Sequence, residues 1–136
     1  MPRTSVLQFD NYSVEELSFK KAVVPEDQHE FQFNPHFNHE LCDCGDNKFD
    51  VKLSVEVFPD EAHPMPFSLR VAIVGHFTYL DNNEHDVNFK QQILEKNTVS
   101  ILFPFLRQIV ASLTSNANIP ALMLPIMNFH DDQVSE

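Results

Sequence analysis

Four residues close together in sequence have side chains suited to metal or thiol chemistry: His36, His39, Cys42 and Cys44. Two imidazoles and two thiolates are a donor set for zinc. Their spacing argues against a structural zinc site. Such sites usually split two ligand pairs across a longer loop, and here all four ligands fall within nine positions. On a strand, Cys42 and Cys44 face the same side, which makes half a site. A disulfide between them is disfavoured, because one intervening residue sets a poor geometry. The alternative use, a cysteine nucleophile paired with a distant histidine, needs a thiol whose pKa is lowered by cationic surroundings. Asp43 and Asp46 flank these cysteines and oppose a thiolate. The expectation is an ordinary edge segment, with no metal and no cofactor.

Other chemistry is thinner. Gly45 and Gly75 stand alone, so no glycine-rich phosphate loop exists, and no Gly-x-Ser-x-Gly elbow occurs. The neighbouring carboxylates Glu15-Glu16 and Asp131-Asp132 read as solvated charge. No catalytic constellation emerges, and the chain is not expected to be an enzyme.

Composition points to contact surfaces. The 136 residues include 13 Phe, no Trp and only 2 Gly. Phe has a large apolar surface and no polar handle. Most of these rings belong in a core, and some are available to line an apolar contact surface. The formal charge of −11 disfavours nucleic acid and anionic membrane surfaces. It favours long-range attraction of basic or unfolded polypeptide. The opening Met1-Pro2-Arg3-Thr4 leads into alternating residues, and the apolar stretch Ile101–Leu113 is interrupted by Arg107 and Gln108. Neither reads as a leader or a bilayer span, so a cytoplasmic protein is expected.

The elements that must position these residues form one domain over residues 1–136. Residues 6–19 are rich in β-formers with loose alternation. From Phe49 to Val57 alternation is strict: Phe49, Val51, Leu53, Val55 and Val57 face one way, and Asp50, Lys52, Ser54 and Glu56 the other. After the proline-rich 59–66 stretch a strand runs from about Phe67 to Leu80, antiparallel to the one before it. The period then changes. Asp86 is placed to cap a short helix with Phe89 and Ile93 four apart, and Thr98 a longer one. In the longer helix Leu102, Phe105, Leu106, Ile109, Val110 and Leu113 make an apolar stripe. Pro104 is expected in its first turn, and the helix should fade near Asn116-Ala117-Asn118. Pro120 and Pro125 make the 120–129 stretch an extended, packed segment. Strands first and helices last predict an α+β fold: an antiparallel sheet with C-terminal helices on one face. The other sheet face is expected to be covered by association of copies.

The 101–129 segment, ILFPFLRQIVASLTSNANIPALMLPIMNF, resembles the C-terminal core of the SecB family of protein-export chaperones. The matching positions are Ile101, Leu102, Phe103, Pro104, Phe105, Arg107, Ser112, Ser115, Ile119, Pro120, Leu122, Leu124, Asn128 and Phe129. Upstream, Leu17-Ser18-Phe19 and Gly75-His76-Phe77 are similar to motifs in that family's first and last strands. The resemblance implies a four-stranded antiparallel sheet with a long helix, and a dimer of dimers with helices at the interface. It also implies ATP-independent binding of unfolded, export-bound polypeptides along apolar grooves. Phe67, Leu69, Phe77, Leu102, Phe103 and Phe105 are the expected groove residues. Leu106, Ile109, Val110 and Leu113 are expected to pack the helix against the sheet or a sister subunit. Family members that hand clients to the export ATPase use acids on the sheet surface. Glu16 keeps one such position, whereas Lys20 and Arg70 stand where acids are expected. The family's last helix is also absent from this sequence. These departures leave client binding intact and fit a second reading, a SecB-like chaperone dedicated to one partner such as an antitoxin.

Overall fold

The computed structural model describes residues 7–21, 34–59, 66–80 and 87–117. Four strands come first: β1 (Leu7–Lys21), β2 (His36–Gly45), β3 (Lys48–Val57) and β4 (Phe67–Tyr79). Then α1 (Val87–Gln92) leads through a π-helical turn (Ile93–Asn97) into α2 (Thr98–Asn116). The sheet is antiparallel throughout, in the order β1-β4-β3-β2, so β1 and β2 are its two edges.

Alternation decides which face each strand buries. In β3 the inward set Phe49, Val51, Leu53, Val55 and Val57 is at most 4% exposed. It pairs in register with the inward set of β4: Val51 with Gly75, Val55 with Val71, Val57 with Leu69. The hairpin joining β2 to β3 turns on Asp46 and Asn47, at φ 56° and 61°. Asp and Asn tolerate that left-handed backbone, and two such residues suit a two-residue hairpin loop. The Tyr79 N–H donates to the Asn47 carbonyl at 2.7 Å and ties the turn to β4.

α2 lies over β3 and β4. Its underside carries Val99, Leu102, Phe103, Leu106 and Val110, all buried. Gly75 admits the helix: a Cβ there would stand 2.5 Å from Leu102 Cδ2. At the near end of the helix the Lys90 ammonium lies over the Phe49 and Tyr79 rings, 5.3 and 5.0 Å from their centroids.

The helical layer departs from expectation in three ways. Thr98 caps nothing: it is buried within a continuous helix, and its hydroxyl donates to the Leu94 carbonyl one turn back. The π turn before it absorbs the period change that the sequence suggested was a break. Pro104 is not in a first turn but seven residues into α2. It projects on the exposed side, so it removes one backbone hydrogen bond without disturbing the core. The helical run Lys90–Asn116 is also longer than the 101–113 segment considered above. It runs for 27 residues, and an 18-residue window within it reaches a mean hydropathy of 1.3, long and apolar enough to cross a bilayer by length and composition, although in this fold the underside packs on the sheet. The proposed cap Asp86, the Phe89 side chain and the 120–129 segment lie outside the described residues.

Candidate functional site

Most of the expected groove is core. Phe67, Leu69 and Phe77 point inward from β4, a central strand, and are 1–3% exposed. Leu102 and Phe103 meet them from the underside of α2 and are 0% and 5% exposed. These five hold the two layers together and present no groove in this protomer. Leu106 and Val110, expected at an interface, are likewise fully buried against the sheet. The reason is position on the helix: residues 99, 102, 103, 106 and 110 share the face turned to the sheet.

Phe105, Ile109 and Leu113 behave differently. With Ile101 they recur every four residues and form one line along the flank of α2, half-buried. The Phe105 ring lies 5.7 Å from Phe9 and 4.6 Å from Tyr12, so this flank faces β1. β1 supplies the floor. Its pairing with β4 slips once between Phe9 and Asn11 and again between Val14 and Glu16. Each slip inserts one residue and restores phase. Leu7, Phe9, Tyr12, Val14, Leu17 and Phe19 therefore all oppose inward residues of β4. Because α2 sits over the central strands, no helix among the described residues covers the floor beyond Tyr12. Val14 is 48% and Leu17 54% exposed, although both are on the helix side of the sheet. Phe19 stacks on Phe67 and closes the far end. The result is an apolar shelf, walled by α2, that ends at the open edge of β1.

A smaller shelf lies along the opposite edge. Phe37 and Leu41 of β2 face inward in register with Val55 and Val51, and the Phe37 ring is 5.7 Å from Phe103. An edge strand carries a row of backbone donors and acceptors that no neighbouring strand of the sheet uses. Each shelf thus combines apolar surface with main-chain hydrogen-bonding groups.

The outer sheet face is a lattice of charge. Arg70 bridges Glu16 at 2.7 Å and Glu56 at 2.8 Å, and Lys52 pairs with Glu15 at 2.7 Å. Glu16, then Glu56, holds the Arg70 guanidinium above its usual pKa, and Glu15 does the same for the Lys52 ammonium. Asp10 accepts hydrogen bonds from Gln8 and Thr78, which hold its carboxyl below the usual range. Lys20 lies on this face opposite Ser68 and is exposed. Arg70 is therefore not a free cation but the centre of a local ion-pair network, its single charge shared between two acids.

The histidines and cysteines are spread out rather than gathered. His36 opposes Glu56 and stacks 5.7 Å from Phe58, His39 opposes Leu53, and Cys42 opposes Asp50 six residues further along. Six residues of strand put His36 about 20 Å from Cys42. Among the described residues no group of three or more His, Cys, Asp or Glu side chains is arranged to hold a metal ion. The shelf residues Phe9, Tyr12, Val14, Leu17, Phe37 and Leu41 were not expected from sequence as contact residues, and only Leu17 had been named, as part of a strand motif. The available signal was the 2-3-2-3-2 spacing of apolar residues from Leu7 to Phe19, which two bulges convert into a single face.

Comparison with known proteins places this arrangement. The sequence model of the family described as Preprotein translocase subunit SecB matches residues 3–132. An uncharacterised protein of Methanocaldococcus jannaschii is 32% identical over 131 residues, 93% of this chain and 82% of that protein. The protein-export protein SecB of Actinobacillus succinogenes is 30% identical over 130 residues, 91% of this chain and 76% of its own. That of Rhodopseudomonas palustris is 27% identical over 118 residues, 84% and 73% of the two chains. Among solved structures, the fold is similar to that of a Mycobacterium tuberculosis SecB-like chaperone in complex with a peptide from the HigA1 antitoxin. The TM-score is 0.72 at 16% identity, covering 89% of this chain and 90% of that one.

Proposed function

The chain belongs to the SecB family, and from that membership we propose that it is an ATP-independent holding chaperone that keeps unfolded polypeptides soluble. The observation that carries this reading is the β1–α2 shelf: apolar residues left partly accessible, up to about half at Val14 (48%) and Leu17 (54%), beside an edge strand of the sheet. An unfolded segment offers the two things such a site takes. Its apolar side chains bury against Val14, Leu17, Phe105 and Ile109. Its extended backbone adds to β1 through main-chain hydrogen bonds that demand no particular sequence. The formal charge of −11 draws basic segments toward the surface. Homo-oligomerisation multiplies the shelves available to one long client and raises avidity. The setting is the cytoplasm, and the clients are export-bound preproteins.

The Glu16–Arg70–Glu56 network favours a second reading, in which the chaperone serves one dedicated protein such as an antitoxin. An acidic surface for docking the export ATPase would be interrupted here by Arg70 and Lys20, and charge mismatches at an interface are costly. The antitoxin peptide held by the structurally similar M. tuberculosis chaperone motivates the same idea.

Light scattering from an aggregating model client, diluted from denaturant without nucleotide, tests the general activity. Suppression near one oligomer per client is expected. No suppression at large excess would remove the general holdase and leave the dedicated-partner reading, which co-expression with a candidate client would then address.

A further inference from the structure

We infer that Cys42 and Cys44 form a two-thiolate site for one soft, thiophilic monovalent cation of the Cu(I) class. Both thiols are exposed on β2, close to its hairpin end. Cys42 opposes Asp50, an outward residue of β3, and the register shifts between Asp43 and Gly45. The Cys44 sulfur lies 3.8 Å from the Cys42 carbonyl oxygen, so it leans back along the strand toward its partner. Two residues of strand separate the Cα atoms by about 7 Å, and two metal–thiolate bonds of about 2.3 Å laid end to end span about 4.6 Å. Side chains leaning together close the difference. The same separation lies at the outer limit for a disulfide, so the pair is better disposed to chelate than to oxidise internally.

The surroundings select the ion class. Two thiolates satisfy a soft ion that accepts linear coordination, whereas harder divalent ions require further ligands. Among the described residues no third ligand is gathered into such a group. Asp50 is the nearest candidate, but His76 Nδ1 engages its carboxylate at 2.8 Å. On the hairpin side the Lys48 ammonium is directed to the Thr78 hydroxyl at 3.4 Å. The incoming cation displaces both protons: two S–H bonds break, two metal–sulfur bonds form, and two protons leave to solvent with no change of oxidation state. This site is independent of the chaperone reading, since neither thiol belongs to the shelves.

The test is anaerobic titration of the full chain with Cu(I) against the chromophoric competitor bathocuproine disulfonate, with proton release followed at neutral pH. One ion per chain and two protons per ion are expected. Cys42→Ser and Cys44→Ser should each weaken retention by about 100-fold or more, the loss that accompanies breaking a chelate. Both positions are exposed, so thermal midpoints should stay unchanged and confirm folding. Retention by either single variant within tenfold of the parent would overturn the site. So would one ion per two chains with doubled mass, or an equal loss on Asp50→Asn.

Discussion

Replacing Val14 and Leu17 together by serine separates the shelf from the core. Full burial of a Val or Leu side chain is worth about 1.5–3 kcal/mol. Val14 and Leu17 are 48% and 54% exposed, so roughly half of that contribution remains for a client to realise. The double variant should therefore lose about 2 kcal/mol of client binding, roughly 30-fold in Kd, with a comparable and tolerable loss of fold stability. Leu102→Ala is the contrasting substitution. Leu102 is 0% exposed beneath α2, and its truncation should cost about 2–5 kcal/mol of stability while leaving the shelf floor in place. The assay is fluorescence anisotropy of a labelled, permanently unfolded client, with thermal unfolding and light-scattering mass measured on the same samples. A folded double variant of parent mass that binds within twofold of the parent would refute the reasoning. A changed mass with unchanged affinity would assign the β1 flank to contact between copies instead.

Further expectations follow from single contacts. Gly75→Ala should destabilise by about 1–3 kcal/mol in chemical denaturation, because the added methyl meets Leu102 at 2.5 Å. Leu106→Asp should abolish the cooperative unfolding transition itself, since Leu106 is wholly buried; a folded variant with altered mass would restore its interface role. Arg70→Gln should change thermal stability little, within about 1 kcal/mol at low salt and less at high salt, because exposed ion pairs contribute weakly. Asp10, whose folded pKa is lowered below 3.8, contributes stability that is present above that value and lost as pH falls through the folded pKa. Asp10→Asn should accordingly flatten the acid limb of the stability profile below about pH 4, and an unchanged limb would contradict the assignment.

Where one physical signal dominated, the sequence was legible. The strict alternation from Phe49 to Val57 places β3 correctly because a half-buried strand has no other way to satisfy its two faces. The Phe67–Leu80 strand and the fading of α2 near Asn116 follow from equally local rules. β1 was only partly legible: its apolar residues break phase twice, and the bulges that rescue them depend on pairing with β4. The helix entry misled because Thr98 and Pro104 are a cap and an early-turn residue in isolation. Burial under a continuous helix overrides both preferences, and the Thr98 hydroxyl finds its acceptor in the preceding turn. For the site, a list of apolar residues does not separate core from shelf. Phe103 and Phe105 differ by two positions, and only the placement of α2 over β3 and β4 buries one and leaves the other on a flank.

Site-directed photo-cross-linking of a bound unfolded client tests the shelf most directly. Benzophenone side chains would be placed singly at Leu17 and Phe105 on the β1–α2 shelf, and at Ser68 on the outer face. Cross-links from positions 17 and 105, absent at 68 and competed away by excess unlabelled client, are the expected result. Cross-links confined to position 68 would place the client on the charged outer face and contradict the shelf as the binding site.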